Sequence, residues 1–141
     1  MTFSIGQILL AGLVATIGWF LVGGALFGNP VVKRIYRSYE HTGILRDRGG
    51  VAQYLGLQLA GIALQCFLWA FVFAYLNSIL PESRFLAGIF FGLILIVTKI
   101  IPRFWDMWVQ STYPVQLLSI EFINGALGTF LIGIIFAFVI R

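Results

Sequence analysis

Long apolar segments alternate with short polar ones along the whole chain. Four apolar runs, each nearly free of charge, extend from about Ile5 to Phe27, Val51 to Leu76, Phe85 to Ile101 and Val115 to Ile140. About 20 helical residues, at about 1.5 Å each, cross the hydrocarbon core of a bilayer. The pattern therefore predicts an all-α polytopic membrane protein. We expect a bundle of four transmembrane helices with a short amphipathic cytoplasmic helix after the first span.

Composition supports the same class, because 60% of the 141 residues are hydrophobic and only 10% are charged. An ordinary soluble domain has about a quarter of its residues charged. The segments outside the four runs are too short for a separate soluble core, so residues 1–141 are interpreted as one transmembrane domain. The start MTFSIGQ carries no Lys or Arg, which favours a retained first helix over a cleaved signal peptide.

Basic residues are distributed unequally between the two sides of such a bundle. The side with the first loop and the end of the third span has seven, and the other side has only Arg84 and Arg141. Since short basic loops stay in the cytoplasm, the pattern predicts that both termini lie outside it. A multi-pass protein of a bacterial inner membrane is the expected location. The seven residues are Lys33, Arg34, Arg37, Arg46, Arg48, Lys99 and Arg103.

The first basic segment, NPVVKRIYRSYEHTG, has the signals of a short helix. Asn29 can cap its start, Pro30 suits the first helical position, and Gly43 suits the residue past the end. An amphipathic helix of this kind can lie among lipid headgroups. The alternative is that the segment only reflects the positive-inside rule. Its candidates for headgroup contact are Lys33, Arg34 and Arg37.

Few residues suit catalysis or metal binding. The chain has one cysteine, Cys66, and one histidine, His41, in different environments, so no metal site and no cofactor are expected. It contains no phosphate loop, no GxSxG turn and no HExxH pair, and no nucleic-acid-binding fold has room to form. A membrane enzyme would have to use Glu121, Asp106 or His41.

Polar residues inside the spans form stripes at helical spacing. One face of three spans carries such a stripe. The stripes are Gly12, Thr16, Trp19 and Gly23 on the first span, Tyr54, Gln58, Gly61, Gln65 and Trp69 on the second, and Glu121, Asn124, Gly125 and Gly128 on the fourth. We expect these stripes to be buried against one another as a polar seam. The ligand-binding candidates along it are Tyr54, Gln58, Gln65, Glu121 and Asn124.

Glycines recur at three- or four-residue spacing in the last two spans. Small residues at this spacing let helix backbones approach closely in lipid, so the pattern predicts tight packing there. They are Gly88, Gly92, Gly125, Gly128 and Gly133.

Glu121, inside the run VQLLSIEFINGALG, is expected near the cytoplasmic interface, about two turns after Pro114. Its expected partner is Lys99 or Arg103, at comparable depth, or an amide such as Asn124. The preceding connector PRFWDMWVQSTYP is rich in aromatic residues and is interpreted as a membrane-boundary belt. The candidates for partner or interface contacts are Lys99, Arg103, Trp105, Asp106 and Trp108.

The segments LFGNP and LLSIEFINGALGTFLIG, with the apolar second span and the glycine-bearing third span, resemble a bacterial family of small four-helix membrane proteins. That family is known only as a domain of unknown function. Val22 and Gly23 depart from it, since its first span tends to carry Trp-Tyr before LFG. The resemblance implies a fold and a bacterial inner membrane, and it implies no activity.

The leading functional hypothesis is a non-enzymatic protein that binds a small or lipidic ligand, or passes a solute, along the polar seam. The alternative is an accessory subunit or scaffold of a membrane complex, and a membrane-embedded enzyme is the third. The expected partners are membrane lipids and either further copies of the chain or another membrane protein. Nucleic acid is not among them.

Overall fold

The computed structural model describes residues 4–45 and 49–141, and these form helices joined by short turns. The helices are α1 (Ile5–Gly28), α2 (Pro30–Arg37), α3 (Val51–Leu76), α4 (Arg84–Leu95), α5 (Ile101–Gln110) and α6 (Val115–Val139). A 3₁₀ turn, Glu40–Thr42, follows α2, and a π-helical turn, Ile96–Ile100, joins α4 to α5. The predicted loop cations Arg46 and Arg48 lie outside the described residues.

Four long helices in the described ranges are apolar enough to cross a membrane. They are α1, α3, the continuous helix Arg84–Gln110 and α6. The predicted all-α bundle of four long helices, with a short helix after the first, is confirmed. Its composition and helix lengths indicate a small, multi-pass integral membrane protein.

Local sequence signals explain where the first two helices begin and end. The hydroxyl of Ser4 accepts a hydrogen bond from the backbone N–H of Gln7, and the Gln7 side chain accepts one from Ser4 in return. Asn29 Oδ1 accepts from the N–H of Val31 at 2.8 Å, as predicted for a cap followed by proline. Gly43 has a φ of +72°, the left-handed conformation that glycine adopts without strain.

The core is centred on α6, which packs against α1 and α4, while α3 packs against α1. Phe73, Phe91 and Phe136 are fully buried and form a cluster of three aromatic rings where α3, α4 and α6 meet. The backbones of α4 and α6 come closest at Gly88 and Gly133, where a Cβ on either residue would meet the opposite backbone. The predicted close approach at these glycines is thus present.

The third long helix continues nine residues beyond Ile101, where the apolar run ends, and so includes most of the aromatic connector. Pro102 has no N–H to donate, and in a regular α-helix its ring would clash with the carbonyl of Thr98. A π-helical turn precedes it, and the N–H of Ile101 donates to the carbonyl of Ile96, five residues back. The wider turn lets the helix continue through the proline.

Helices α1 and α3 separate towards the end that carries α2. No residue of α1 after Trp19 is fully buried, and no residue of α3 before Cys66 is. Residues 51–60 are exposed on every face. The expected burial of Tyr54 and Gln58 is therefore wrong, because no neighbouring helix covers this part of α3. We call this region the α3 opening, meaning residues 51–60 of α3 and the space beside them.

Candidate functional site

Lys99 lies in the π-helical turn and extends its ammonium group towards α3. The ammonium donates a hydrogen bond to Oε1 of Gln65. It also lies 4.0 Å from the ring centroid of Trp69 and 5.0 Å from that of Trp19. The two indole rings stack with centroids 6.0 Å apart. We call Lys99, Gln65, Trp19 and Trp69 the Lys99 cluster.

The amide of Gln65 is held in one orientation. Its Nε2 donates to the carbonyl oxygen of Gly61 at 3.1 Å, one turn earlier in α3. The amide oxygen is thereby left to face Lys99, and of the two ends of the amide only the oxygen can accept a hydrogen bond from the ammonium group. The indole faces add cation–π attraction, which is stronger away from water.

The depth of Lys99 follows from the length of its helix. Arg84 and Trp105 are 21 residues apart, about 31 Å of helix, which matches the hydrocarbon core of about 30 Å. Lys99 is six residues before Trp105, so it lies about 9 Å inside that boundary. Lys99 was expected within the third span, near its end and at the depth of Glu121, but the longer helix places it further from the helix end.

The partners of Lys99 carry no formal negative charge. The ionisable groups that act on it electrostatically are Arg103 and Cys66. In residues 4–45 and 49–141, its contacts are with Gln65 and two indoles, and no carboxylate is among them. A cation in this setting is held only by neutral groups.

Glu121 lies at the centre of a second polar group, one turn nearer the loops. Its Oε1 accepts hydrogen bonds from the hydroxyl of Tyr36, at 3.2 Å, and from that of Tyr113. Burial, followed by the nearby Glu121 carboxylate, raises the pKa of Tyr36 above its usual value, and burial and the hydrogen bond to Glu121 do the same for Tyr113. Both tyrosines therefore stay neutral donors at ordinary pH. The expected pairing of Glu121 with Lys99, Arg103 or Asn124 is wrong.

The relative depth of the two groups is fixed by packing between α6 and the third long helix. Ile100 lies against Gly125, and Phe104 meets Phe122 edge to face at 5.4 Å. Glu121 is thus level with the first turn of α5, whereas Lys99 is about one turn deeper. This agrees with the expected place of Glu121 near an interface.

Helix α2 is attached to the start of α6 by two side-chain contacts. Besides the bond from Tyr36 to Glu121, the hydroxyl of Tyr39 donates to Oε1 of Gln116 at 3.2 Å. Tyr36 also packs edge to face on Phe27 of α1. Val32 is buried beneath the helix, while its three basic residues are exposed; these are Lys33, Arg34 and Arg37.

The remaining seam candidates have different surroundings. Oδ1 of Asn124 is buried near Gly23 and accepts no hydrogen bond from the described residues. Gln58 and Tyr54 are exposed, and Nε2 of Gln58 donates to the Tyr54 hydroxyl at 3.0 Å. Tyr54 also makes the smallest contribution to the raised pKa of Tyr113.

The aromatic candidates form an exposed patch on α5. Trp105 and Trp108 are more than half exposed, and their rings lie 5.4 Å apart. Asp106 and Arg103 are exposed as well, with the Arg103 guanidinium 5.8 Å from the ring centroid of Phe104. A shallow apolar depression between α5 and α6 contains none of the charged candidates; it is lined by Phe104, Leu118, Ser119, Phe122 and Ile123.

One polar group had no signal in the sequence. The Arg141 side chain donates to Asn77 Oδ1 and to the carbonyl oxygens of Asn77 at 2.7 Å, of Leu80 at 3.2 Å and of Pro81. It thereby satisfies the carbonyl of the residue that caps α3, Asn77, and two carbonyls of the turn that follows. Such a contact joins two chain segments that no short motif relates.

Comparison with known proteins gives no relative from which a function can be transferred. No protein-family model matches the sequence, and neither the curated proteins nor the solved structures include a significant match. The resemblance to the four-helix family therefore stays a prediction. The functional evidence comes from the Lys99 cluster and from the group around Glu121.

Proposed function

We propose that this integral membrane protein binds a small or lipidic ligand, which enters from the bilayer through the α3 opening and reaches the Lys99 cluster. The observation that carries the proposal is the position of Lys99. Lys99 precedes Trp105 by six residues, about 9 Å of helix, and its ammonium is held only by neutral groups among the described residues.

A charge at this depth is costly. Placing a lysine at the centre of a transmembrane helix costs about 2.5 to 3.5 kcal/mol, and such residues usually mark a functional path or site. Lysine side chains often extend towards the interface to reduce this cost. Here the side chain turns to Gln65 and the two indoles on neighbouring helices. That arrangement favours a binding role over a simple topological one.

The α3 opening supplies a route from lipid to this cation. Tyr54 and Gln58 are exposed, and Gln65, Trp69 and Lys99 are half-buried at its deeper end. An acyl or ring-containing chain can lie against the apolar side chains of residues 51–60, while a polar head follows the polar face of α3. A ligand that enters sideways needs no aqueous channel.

The proposal is tested by thermal unfolding of the purified protein in neutral micelles with a set of single-chain amphiphiles. A ligand that binds only the folded protein raises the melting temperature saturably. Gly61→Phe should weaken this response, since it adds a large side chain between Gln58 and Gln65, where the glycine has open space. Gly6→Phe is the matched control, because Gly6 is exposed at the end of α1 away from the α3 opening and a Cβ there meets nothing nearer than Ser4 Oγ at 3.8 Å.

Failure of every amphiphile to stabilise the wild-type protein would contradict the proposal. An equal loss of response in Gly61→Phe and Gly6→Phe would assign the effect to general damage to the bundle, and the proposed route would then be wrong.

A second candidate function is that of an accessory subunit or scaffold. The specific observation is that residues 51–60 are exposed on all faces, as expected where a helix of another copy or another membrane protein packs. In that case light scattering should give a mass above that of one chain, and Gly56→Phe should disrupt the assembly as strongly as Gly61→Phe.

For the location we propose a bacterial inner membrane, with α2 and the turn between α5 and α6 on the cytoplasmic side. The contacts of Tyr36 and Tyr39 with α6 put these two segments at the same end of the bundle. The basic residues of α2 and Arg103 support the cytoplasm as the compartment for this end.

A further inference from the structure

We infer that the Lys99 cluster is a site for the carboxylate head of a single-chain amphiphile, with the Lys99 ammonium as its counter-ion. This inference rests on the proposed function and names the chemical class of its ligand. It follows from the charge, the depth and the remaining bonding capacity of the cluster.

The charge of the cluster favours an anion. Lys99 has three N–H donors, and one of them is directed to Gln65. The indoles meet it through their ring faces and provide no oxygen acceptor. An anionic oxygen would use a remaining donor and neutralise the charge, and a charge-assisted bond of this kind is about twice as strong as a neutral one.

The depth of the cluster favours a head with one charge and little volume. The phosphates of ordinary phospholipids stay in the interfacial layer. Lys99 lies about 9 Å of helix deeper than Trp105, which is interpreted as a boundary residue. The cluster supplies a single ammonium group, so a doubly charged phosphate monoester would leave one charge without compensation in an apolar place. A carboxylate matches the single positive charge.

The surroundings of Lys99 provide both specificity and access. Gln65 is held by Gly61, and Trp19 is almost fully buried, so this side of the ammonium is occupied. Lys99, Gln65 and Trp69 are only half-buried, so the cluster keeps an accessible side, and Gln65 lies about 7 to 8 Å along α3 beyond the α3 opening. A head that enters along the polar face of α3 reaches the ammonium beside Gln65, and its chain remains among the apolar side chains of residues 51–60.

The first test compares palmitate with hexadecanol, which have the same chain length and differ in the head. Both are titrated against the full-length protein in neutral micelles at neutral pH, and the melting temperature is recorded. Palmitate should bind at least about tenfold more tightly than hexadecanol, as expected for a hydrogen bond to a charged group. Lys99→Gln should remove this difference, while Lys33→Gln, which removes an exposed cation on α2, should retain it.

A second measurement does not depend on the folding of a Lys99 variant. The chain has four tryptophans, so Trp105→Phe together with Trp108→Phe leaves only Trp19 and Trp69, both in the Lys99 cluster. A long-chain acid brominated next to its head should quench their fluorescence more than the same acid brominated near its tail. The corresponding brominated alcohols should give weaker quenching at equal concentration.

The outcomes separate the carboxylate assignment from the proposed function. Equal affinity of acid and alcohol, with saturable binding of both, would overturn the carboxylate assignment and leave the proposed function standing. Tighter binding of hexadecyl phosphate than of palmitate would also overturn it, in favour of a phosphate head. Absence of binding by every amphiphile, in both measurements, would overturn the inference and the proposed function together.

Discussion

The hydroxyl of Tyr36 donates a hydrogen bond of 3.2 Å to Oε1 of Glu121, which lies 85 positions later in the chain. This bond, with that from Tyr113 to the same oxygen, connects the short basic helix to the start of the last span. The carboxylate is satisfied by two neutral hydroxyls near the membrane boundary. Its first role is therefore to hold α2 against the bundle.

Replacement of Glu121 should separate this structural role from a functional one. Glu121→Gln keeps an oxygen acceptor and should retain most of the folded stability. Glu121→Leu leaves two partly buried hydroxyls without an acceptor and should lower the free energy of unfolding by about 1 to 3 kcal/mol. The free energy of unfolding of both variants is measured in mixed micelles. The control is Asp106→Asn, which changes an exposed carboxylate. Equal stability of the Gln and Leu variants would show that the hydroxyl contacts contribute nothing.

The raised pKa values of Tyr36 and Tyr113 predict a loss of stability at high pH. An unfolded tyrosine ionises near pH 10, whereas the folded protein keeps these two protonated to higher pH. Their contribution is thus complete below about pH 10 and decreases as the pH rises further, because only the unfolded state then releases the protons. The double variant Tyr36→Phe, Tyr113→Phe should show a smaller decrease, measured as unfolding free energy against pH. An unchanged pH profile in that variant would contradict the assignment.

The fold could be predicted from the sequence because membrane spans depend on length and apolarity alone. The end of the third span could not, since Pro102 and the polar residues after it are typical of a break in a helix. A π-helical turn, which depends on packing rather than on a local motif, lets the helix continue. The cap at Asn29 was predictable because all of its partners lie within two residues.

The sequence identified several residues of the candidate site, but it did not identify most of their contacts. Gln65 and Glu121 could be identified as unusual residues within apolar runs, but pairing opposite charges gave the wrong partner for Glu121. Its tyrosine partners are uncharged, and Tyr36 is distant in the chain. Lys99 was placed at the end of the third span, level with Glu121, because the apolar run ends soon after it. Its partners Trp19, Gln65 and Trp69 lie on stripes that were expected to pack together, but spacing within each helix does not indicate that a lysine of the third helix reaches them.

The contact between α4 and α6 predicts a strong effect of adding one methyl group. A Cβ at Gly133 would collide with the backbone carbonyl of Gly88, and backbone cannot move aside as a flexible side chain can. Gly133→Ala should therefore lower the free energy of unfolding by about 1 to 3 kcal/mol. Gly56→Ala, where a Cβ meets nothing within 4 Å, should be neutral or slightly stabilising, since alanine favours helix. Similar effects of the two changes in mixed-micelle unfolding would contradict the packing described.

The charge asymmetry of the loops predicts the orientation of the bundle in the membrane. Removing Lys99 from the loop count leaves six basic residues on one side and two on the other, so the asymmetry persists without it. A reporter enzyme that is active only outside the cytoplasm should therefore be active when fused after Arg141, and a cytoplasm-only reporter should be inactive there. Changing Lys33, Arg34 and Arg37 together to Gln reduces six to three and should produce a mixed population, whereas changing Arg84 to Gln should have no such effect. Cytoplasmic activity of the wild-type fusion would reverse the orientation, and an amphiphile would then reach Lys99 from the opposite leaflet.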